Sequence, residues 1–382
     1  MKKLLIAVLL SLFLALLFLW LTPTNVDPVA WVVPVAPKLE GPYAPNSILK
    51  DAQRLLLGVG HGPEGVAVDA SGAVYTGYED GRIVRLAPAG DRYREFANTG
   101  GRPLGLVAEA DGSLLVADSA KGLLSVSPDG AITTLSLSAG GVPLGFADDV
   151  DHKGGTLAFF TDASTKFPNP HYLLDVLEHR PHGRVIVQDL AKQQSATVIE
   201  DLYFANGIAV GPDGEWLLVA ETAAYRITRV WLKGPKAGTR EVFADELPGF
   251  PDNLSFNGRD RIWVALPSLR DPMLDALSQW PRVRRLLANL PQPVQDLLSF
   301  HGTPQAFVLG FDLDGKLIAN LQYRADDAYA PIMSVEEHGP WLYFGSLSQP
   351  SIARLPLELA VPGSAPPPGG WRQTPAIPRH GD

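Results

Sequence analysis

The 382-residue chain contains no cysteine. That excludes disulfides, thiolate metal sites, a cysteine nucleophile and a lipidated N-terminal cysteine. The chain also lacks a basic excess: 32 Lys and Arg face 41 Asp and Glu, a net charge of -9. A nucleic-acid partner is therefore not expected, because non-specific binding to phosphate backbones needs a basic field. The balance suits a carboxylate-lined pocket that takes a cation. Several familiar signatures are missing as well. Gly345-Ser-Leu-Ser-Gln349 lacks the last glycine of a nucleophile elbow. Gly58-Val-Gly-His-Gly-Pro63 has proline where a dinucleotide fingerprint needs glycine. Asp312-Leu-Asp-Gly315 lacks the next aspartate of an EF-hand loop and reads as a hairpin turn. The histidines are scattered; His179 and His182 share one segment without a further ligand pair, so solvated loop histidines are expected there rather than a zinc site. For His338 a structural role is expected.

What is present begins at the N-terminus. Lys2 and Lys3 precede an apolar run from Leu4 to Leu21 in which Ser11 is the one polar residue. As a helix the run would reach about 27 Å, close to the hydrocarbon thickness of a bilayer. It ends at Trp20-Leu-Thr-Pro23 without a small-x-small cleavage site, so residues 1–21 are expected to be an uncleaved signal anchor with the basic flank inside and the remainder exported. Residues 22–47 carry Pro23, Pro28, Pro34, Pro37, Pro42 and Pro45 and predict an extended, semi-rigid spacer. Residues 361–382, rich in proline and glycine, predict a disordered tail.

Between these ends, residues 48–360 repeat a pattern of short alternating runs separated by glycine turns. It reads at Gly65-Val-Ala-Val-Asp69 with Ser71-Gly72, at Gly105-Leu-Val-Ala108 with Asp111-Gly112, and at Gly207-Ile-Ala-Val210 with Asp213-Gly214. Weaker copies begin near Asp149, Asn253 and Ile332. The interval from Gly65 to Gly105 is about 40 residues, the length of one four-stranded propeller blade. Six copies predict an all-β, six-bladed β-propeller. Two intervals are too long and must hold insertions, about 164–182 in the third blade and about 267–303 in the fifth. The second predicts two short helices, Pro272–Gln279 and Arg282–Asn289, broken at Pro281. Its leucines and Arg282, Arg284 and Arg285 suit either docking on the propeller or contact with an anionic membrane.

The inner strand of each blade lines the channel, so residues at its start converge at one mouth. There the repeat places Glu64, Asp148 and Asp149, Asn206, and Asp252 with Asn253. Any one of these could merely cap a turn. Oxygens in equivalent repeat phase around an axis can instead hold a hard cation such as Ca²⁺, which takes six to eight oxygen ligands.

Taken in order, Gly62-Pro-Glu-Gly65, Gly101-Arg-Pro-Leu-Gly-Leu106, Phe204-Ala-Asn-Gly207, Leu218-Val-Ala-Glu-Thr222, Leu247-Pro-Gly-Phe-Pro-Asp-Asn253 and Trp341-Leu-Tyr-Phe-Gly-Ser346 resemble the strictosidine-synthase-like family. Its fold is shared with the senescence marker protein/gluconolactonase family and, more remotely, with paraoxonases. The resemblance implies metal ligands at Glu64, Asn206 and Asp252, with Asp148 where the gluconolactonase branch has asparagine and Asn253 as a further ligand. It implies Asp252, or Asp148, as the acid/base residue. It implies a divalent cation, expected to be Ca²⁺, and a small ester or lactone substrate. Where the synthase branch has its condensing glutamate, this chain has Met333, which cannot relay a proton; Glu336 and Glu337 lie nearby. The resulting expectation is a metal-dependent hydrolase of lactones or aryl esters, held to a membrane by its anchor. A propeller that only binds a ligand or protein, and a strictosidine-type condensing enzyme, are the alternatives.

Overall fold

The computed structural model describes residues 22–291 and 305–364, together with residues 1–3, 6, 10, 11, 19 and 294. Six four-stranded antiparallel sheets are arranged as blades around one axis. Their inner strands are Val66–Val68, Pro103–Ala108, Ala147–Asp151, Ala205–Val210, Leu254–Phe256 and Ser334–His338. The first five blades are each built from consecutive strands. The sixth takes three strands from the C-terminal end and its outer strand, Gln53–Leu55, from the N-terminal side, with Gln53 opposite Arg354. This pairing closes the ring and removes the exposed edge that an open sheet would leave.

Apolar side chains fill the spaces between blades. Ala209, Leu218 and Ile227 of the fourth blade pack against Leu254, Val264, Phe307 and Leu309 of the fifth in one buried cluster. Near the axis the backbones approach so closely that a side chain cannot fit. A Cβ on Gly65 would lie 1.9 Å from the Leu104 carbonyl oxygen, and one on Gly207 would lie 2.5 Å from the Asn253 Cα. The glycine that follows Glu64 and Asn206 is thus required by the packing of neighbouring blades.

Both insertions leave the sheet between the second and third strands of their blades. Because the inner strand runs away from the Glu64 end and the second strand returns to it, both insertions stand on that same face. The third-blade insertion contains α1, Tyr172–Glu178, which the sequence pattern did not predict. The fifth-blade insertion contains α2, Pro272–Ala276, and α3, Pro281–Ala288, with Pro281 at the first helical position of α3. Asp271 caps α2 by accepting from the backbone N–H groups of Met273 and Leu274.

Residues 22–47 contribute no strand and hold only a 3-10 turn at Gly41–Tyr43, and they are packed against the domain rather than held free of it. Val26 joins a buried cluster with Phe167, Leu177, Tyr225, Phe250, Leu274 and Ala288. The fully buried Arg284 of α3 donates to the carbonyls of Leu177, Ser278 and Val29 and so fastens this strap to both insertions. Further on, Arg270 donates to the Pro34 carbonyl, and Asn320 to those of Pro42 and Ala44. The strap thus descends the outside of the fifth blade before the chain turns back up as the closing strand.

No helix among the described residues is long and apolar enough to cross a membrane. The expected anchor, Leu4 to Leu21, lies for the greater part outside the described residues, as do residues 292, 293 and 295–304 of the fifth-blade insertion and 365–382 of the expected tail.

Candidate functional site

Each blade presents one residue where its inner strand begins at the insertion-bearing face. In blade order these are Glu64, Leu104, Asp148, Asn206, Asp252 and Met333, followed by Gly65, Gly105, Asp149, Gly207, Asn253 and Ser334. The polar members of the ring are buried: Glu64, Asp148, Asn206, Asp252 and Asn253 all expose less than a tenth of their surface. All five sequence-predicted site residues are therefore gathered at one mouth of the channel.

Their entry segments are pinned by a second set of carboxylates at the ends of the second strands. Asp118 accepts from the Arg102 backbone N–H, Asp162 from those of Gly145 and Phe146, and Glu221 from that of Tyr203. Each bond fixes the chain two or three residues before a ring position. Sequence reasoning did not assign these carboxylates a role. Their signal was present as an acid ending the second apolar run of three blades: Val-Ala-Asp118, Phe-Thr-Asp162 and Val-Ala-Glu221.

The ring itself is poorly satisfied. Glu64 Oε2, Asn206 Oδ1, Asp252 Oδ1 and Asn253 Oδ1 are buried without a hydrogen-bond partner. The Asn253 amide reaches Glu64 Oε1 only at 3.5 Å, and the nearest guanidinium, Arg102 Nη2, lies 3.7 Å from Glu64 Oε2. The electrostatic consequence is strong. Burial holds Asp252 well above the ordinary carboxylate range, and the charge of Glu64 adds to it. Burial does the same to Asp148, reinforced by Glu64 and Asp252. Glu64 is raised by burial, with Arg102 and Asn253 opposing. Neighbouring Asp149 plays a different part. Its two oxygens accept from the backbone N–H groups of Val150 and Ile208, which ties the third blade to the fourth; burial nevertheless raises it to about 8.

Among the described residues, no three His, Cys, Asp or Glu side chains are close enough together to hold an ion. The unpartnered oxygens come equally from carboxylates and amides, so any cation would depend on Asn206 and Asn253 as well as on the acids. All are hard oxygen donors, which suits Ca²⁺ rather than a thiolate- or imidazole-seeking metal.

Apolar groups surround the ring. Phe146, Phe204 and Phe250 each stand two residues before a polar ring member, and Phe146 meets Phe204 edge to face at 5.5 Å. Leu104, Phe146, Ala163, Phe204 and Ala223 form one buried cluster, against which Val176 of α1 packs. Along the axis a cavity of about 240 Å³ begins one residue beyond the ring, lined among others by Asp149, Asp151, Lys153, Asn253 and Glu336.

The remaining candidates fall elsewhere. Met333 occupies the sixth-blade ring position. Glu337 is committed to Asn257, Arg259, Arg261 and the Trp263 indole. His338 sits at the opposite end of its strand, facing Trp341 across the hairpin. His179 and His182 are not the solvated loop histidines that the sequence predicts. His179 is buried and stacked between Trp31, at 3.8 Å, and Tyr203, at 4.7 Å, and burial lowers its pKa to about 3. His182 Nε2 is 2.8 Å from Glu178 Oε1.

The strictosidine synthase profile matches residues 147–235, and the N-terminal profile of the strictosidine synthase-like proteins matches 41–86. A Salmo salar protein named adipocyte plasma membrane-associated protein is 34% identical over 84% of this chain and 82% of its own length. Among solved structures, a Xanthomonas campestris gluconolactonase superposes with a TM-score of 0.57 at 17% identity, over 88% of this chain and 99% of the other. A calcium-binding regucalcin from Agrobacterium tumefaciens gives 0.56 at 18% identity, over 86% and 97%. At such identities the last two establish the shared fold alone.

Proposed function

The chain belongs to the strictosidine synthase-like family of six-bladed propellers, and from that premise we propose that it is a metal-dependent hydrolase of lactones or aryl esters, with Ca²⁺ as its ion. The observation that carries this reading is the set of four buried oxygens without a hydrogen-bond partner, on Glu64, Asn206, Asp252 and Asn253, at the mouth of the channel. Leaving such groups without partners costs on the order of 1–3 kcal/mol each, and more when charged, so a ring of them calls for a ligand. That two neighbours in fold are a gluconolactonase and a calcium-binding regucalcin supports the direction of the reading.

Glu64, Asn206 and Asp252 would hold the ion, with Asp148 or Asn253 adding a ligand. When bound, the ion supplies positive charge that polarises a carbonyl and acidifies water. The chain's own groups do the rest. The Phe146, Phe204 and Phe250 rim offers apolar surface for the acyl or aryl part of a substrate and keeps bulk water from the ring. Asp252, or Asp148 beside it, takes a proton from water as the water oxygen attacks the carbonyl carbon. The bond from that carbon to the leaving oxygen then breaks, and the same carboxyl returns the proton to the alcohol or phenol. Burial and like charge raise both acids in the ion-free site, and a bound cation would draw them back down, so that the carboxylate form is present to act as base.

A condensing role of the strictosidine type is disfavoured, because Met333 stands at the sixth ring position and Glu337 is tied up in ion pairs. A propeller that only binds a ligand would use the same ring, and activity separates the two. Purified full-length protein should carry stoichiometric calcium and hydrolyse members of an ester and lactone panel, with the activity lost to a chelator and restored by Ca²⁺. Protein that retains calcium but turns over no ester or lactone would favour the binding module; activity indifferent to chelator would overturn the metal-dependent reading.

For location, the sequence supports an N-terminal anchor at residues 1–21, with the propeller on the far side of the membrane from Lys2 and Lys3. The name of the salmon relative places that protein at a plasma membrane. N-terminal sequencing of membrane-extracted protein should begin at or before Lys2; a start after Thr22 would replace the anchor with a cleaved signal.

A further inference from the structure

The strap limits how far the propeller can stand from its own anchor. The apolar run ends at Leu21, and Val26 is already buried against the insertions. The residues between them, Thr22 to Asn25, can span at most about 14 Å fully extended. The junction is closer still, because the Asn289 side-chain amide, at the end of α3, donates to the carbonyls of Leu19 at 2.9 Å and Thr22 at 3.2 Å. The face from which the anchor departs is the face that carries both insertions and the oxygen ring.

The surface beside this junction has the composition of an interfacial seat. Trp280 is 61% exposed, Met273 50% and Val283 37%, on or between α2 and α3. Arg282 and Arg285 are exposed next to them, in a chain of net charge -9. Leu19, Arg282, Arg285, Leu286 and Asn289 line a hollow of about 130 Å³ at the foot of the anchor. Tryptophan and short apolar side chains flanked by arginine match the headgroup region of a bilayer, where apolar groups enter the acyl boundary and guanidinium groups pair with phosphate.

We propose that α2 and α3 seat on the surface of an anionic membrane, with Trp280, Met273 and Val283 in the interface and Arg282 and Arg285 on lipid phosphates. The propeller then lies with its ring-bearing face toward the lipid, and the channel mouth receives esters that partition into the interface. This inference rests on the anchor proposed above, and the experiment keeps the two apart.

The natural absence of cysteine permits single labels in the full-length chain without other changes. Val283→Cys, Leu10→Cys and Asp129→Cys are each given a nitroxide and reconstituted in vesicles of phosphatidylcholine with phosphatidylserine. Asp129 is exposed on a turn between a third and a fourth strand, at the opposite face. Collision with oxygen is compared with collision with a water-soluble nickel complex. The expected order from lipid to water is Leu10, Val283, Asp129, and Arg282→Glu with Arg285→Glu should move the Val283 label measurably toward water, less so at high salt. A Leu10 label in lipid with Val283 as aqueous as Asp129 overturns the seat and leaves the anchor standing. An aqueous Leu10 label overturns the anchor and the seat with it. A Val283 label in the interface that ignores the double substitution overturns the assignment of the arginines to lipid phosphate.

Discussion

Two sets of buried carboxylates, one residue type in one fold, behave in opposite ways. Glu337, inside the blade stack, accepts from two arginines, an asparagine and the Trp263 indole, and these partners outweigh burial and hold it below its ordinary range. Glu221 is served by Arg226, Thr228 and the Tyr203 N–H, and Asp162 by Arg184 and two backbone N–H groups. At the ring, Glu64 and Asp252 each keep an oxygen without a partner, and Asp148, Asp252 and Glu64 are all raised. The fold is able to satisfy both oxygens of a buried acid, as at Glu337, Glu221 and Asp162, although the scaffold acid Asp118 also keeps one buried oxygen, Oδ2, without a partner. What distinguishes the ring is that such oxygens are gathered there from four residues, and the reason is to be sought in what binds there.

The comparison is broken most decisively at Asp252. Asp252→Asn keeps the shape and removes the base, so ester or lactone hydrolysis should fall about a thousandfold while the melting temperature stays level or rises. A variant with full activity would mean that Asp252 belongs with the scaffold acids. The opposite pattern is expected at Glu337. Glu337→Ala leaves Arg261 and Trp263 without their acceptor in the interior and should cost about 3–5 kcal/mol in chemical unfolding. Per folded molecule, activity should be unchanged.

How far this division was readable beforehand follows from the range of the interactions involved. The six blades and the ring residues were legible because hairpin turns and strand alternation are local, and because a repeat of about 40 residues brings equivalent positions to one mouth. The helical fifth-blade insertion was legible from its two short runs, Pro272–Gln279 and Arg282–Asn289, with the break at Pro281 between them. The closing strand was not: Gln53–Leu55 has no periodicity of its own, and its partner, Ile352–Arg354, lies at the other end of the chain. The docking of the strap was hidden for the same reason. Its prolines announce extended chain, but the burial of Val26 and the stacking of Trp31 on His179 depend on α1 and α3. Nor could sequence separate satisfied acids from unsatisfied ones, because Arg261, Trp263 and Glu337 meet only across neighbouring blades.

Asp175 of α1 offers a third case that sharpens the contrast, since it resembles the ring acids without belonging to the ring. Neither oxygen has a hydrogen-bond partner, and burial, outweighing the nearby Ser164 hydroxyl, raises its carboxyl to about 7. The folded state thus keeps a proton that the unfolded chain releases near pH 3.8, so this contribution to stability is present below that pH and is lost as pH rises through about 7. Asp175→Asn should flatten the decline between those limits and gain about 2 kcal/mol at pH 8. Urea unfolding at pH 5 and pH 8 checks it; an unchanged difference between the two would place Asp175 with the scaffold.

The smallest expected effect divides the ring itself. Asp148 replaces the asparagine implied by the gluconolactonase resemblance and adds a negative charge beside Glu64 and Asp252, two like charges that already oppose its ionisation. If its part is to supply charge to a bound cation, Asp148→Asn should weaken Ca²⁺ binding by about tenfold, because the affinity of oxygen sites follows the number of charged ligands. At saturating Ca²⁺ the turnover should then be retained. The metal-free variant should also melt higher, since one of three buried acids that repel one another is gone. Calorimetric titration with Ca²⁺ and turnover at saturating Ca²⁺ read the two quantities separately. Loss of turnover with Ca²⁺ bound would transfer the base from Asp252 to Asp148. Unchanged affinity together with unchanged turnover would remove Asp148 from the site and leave Glu64, Asn206, Asp252 and Asn253 as the whole of it.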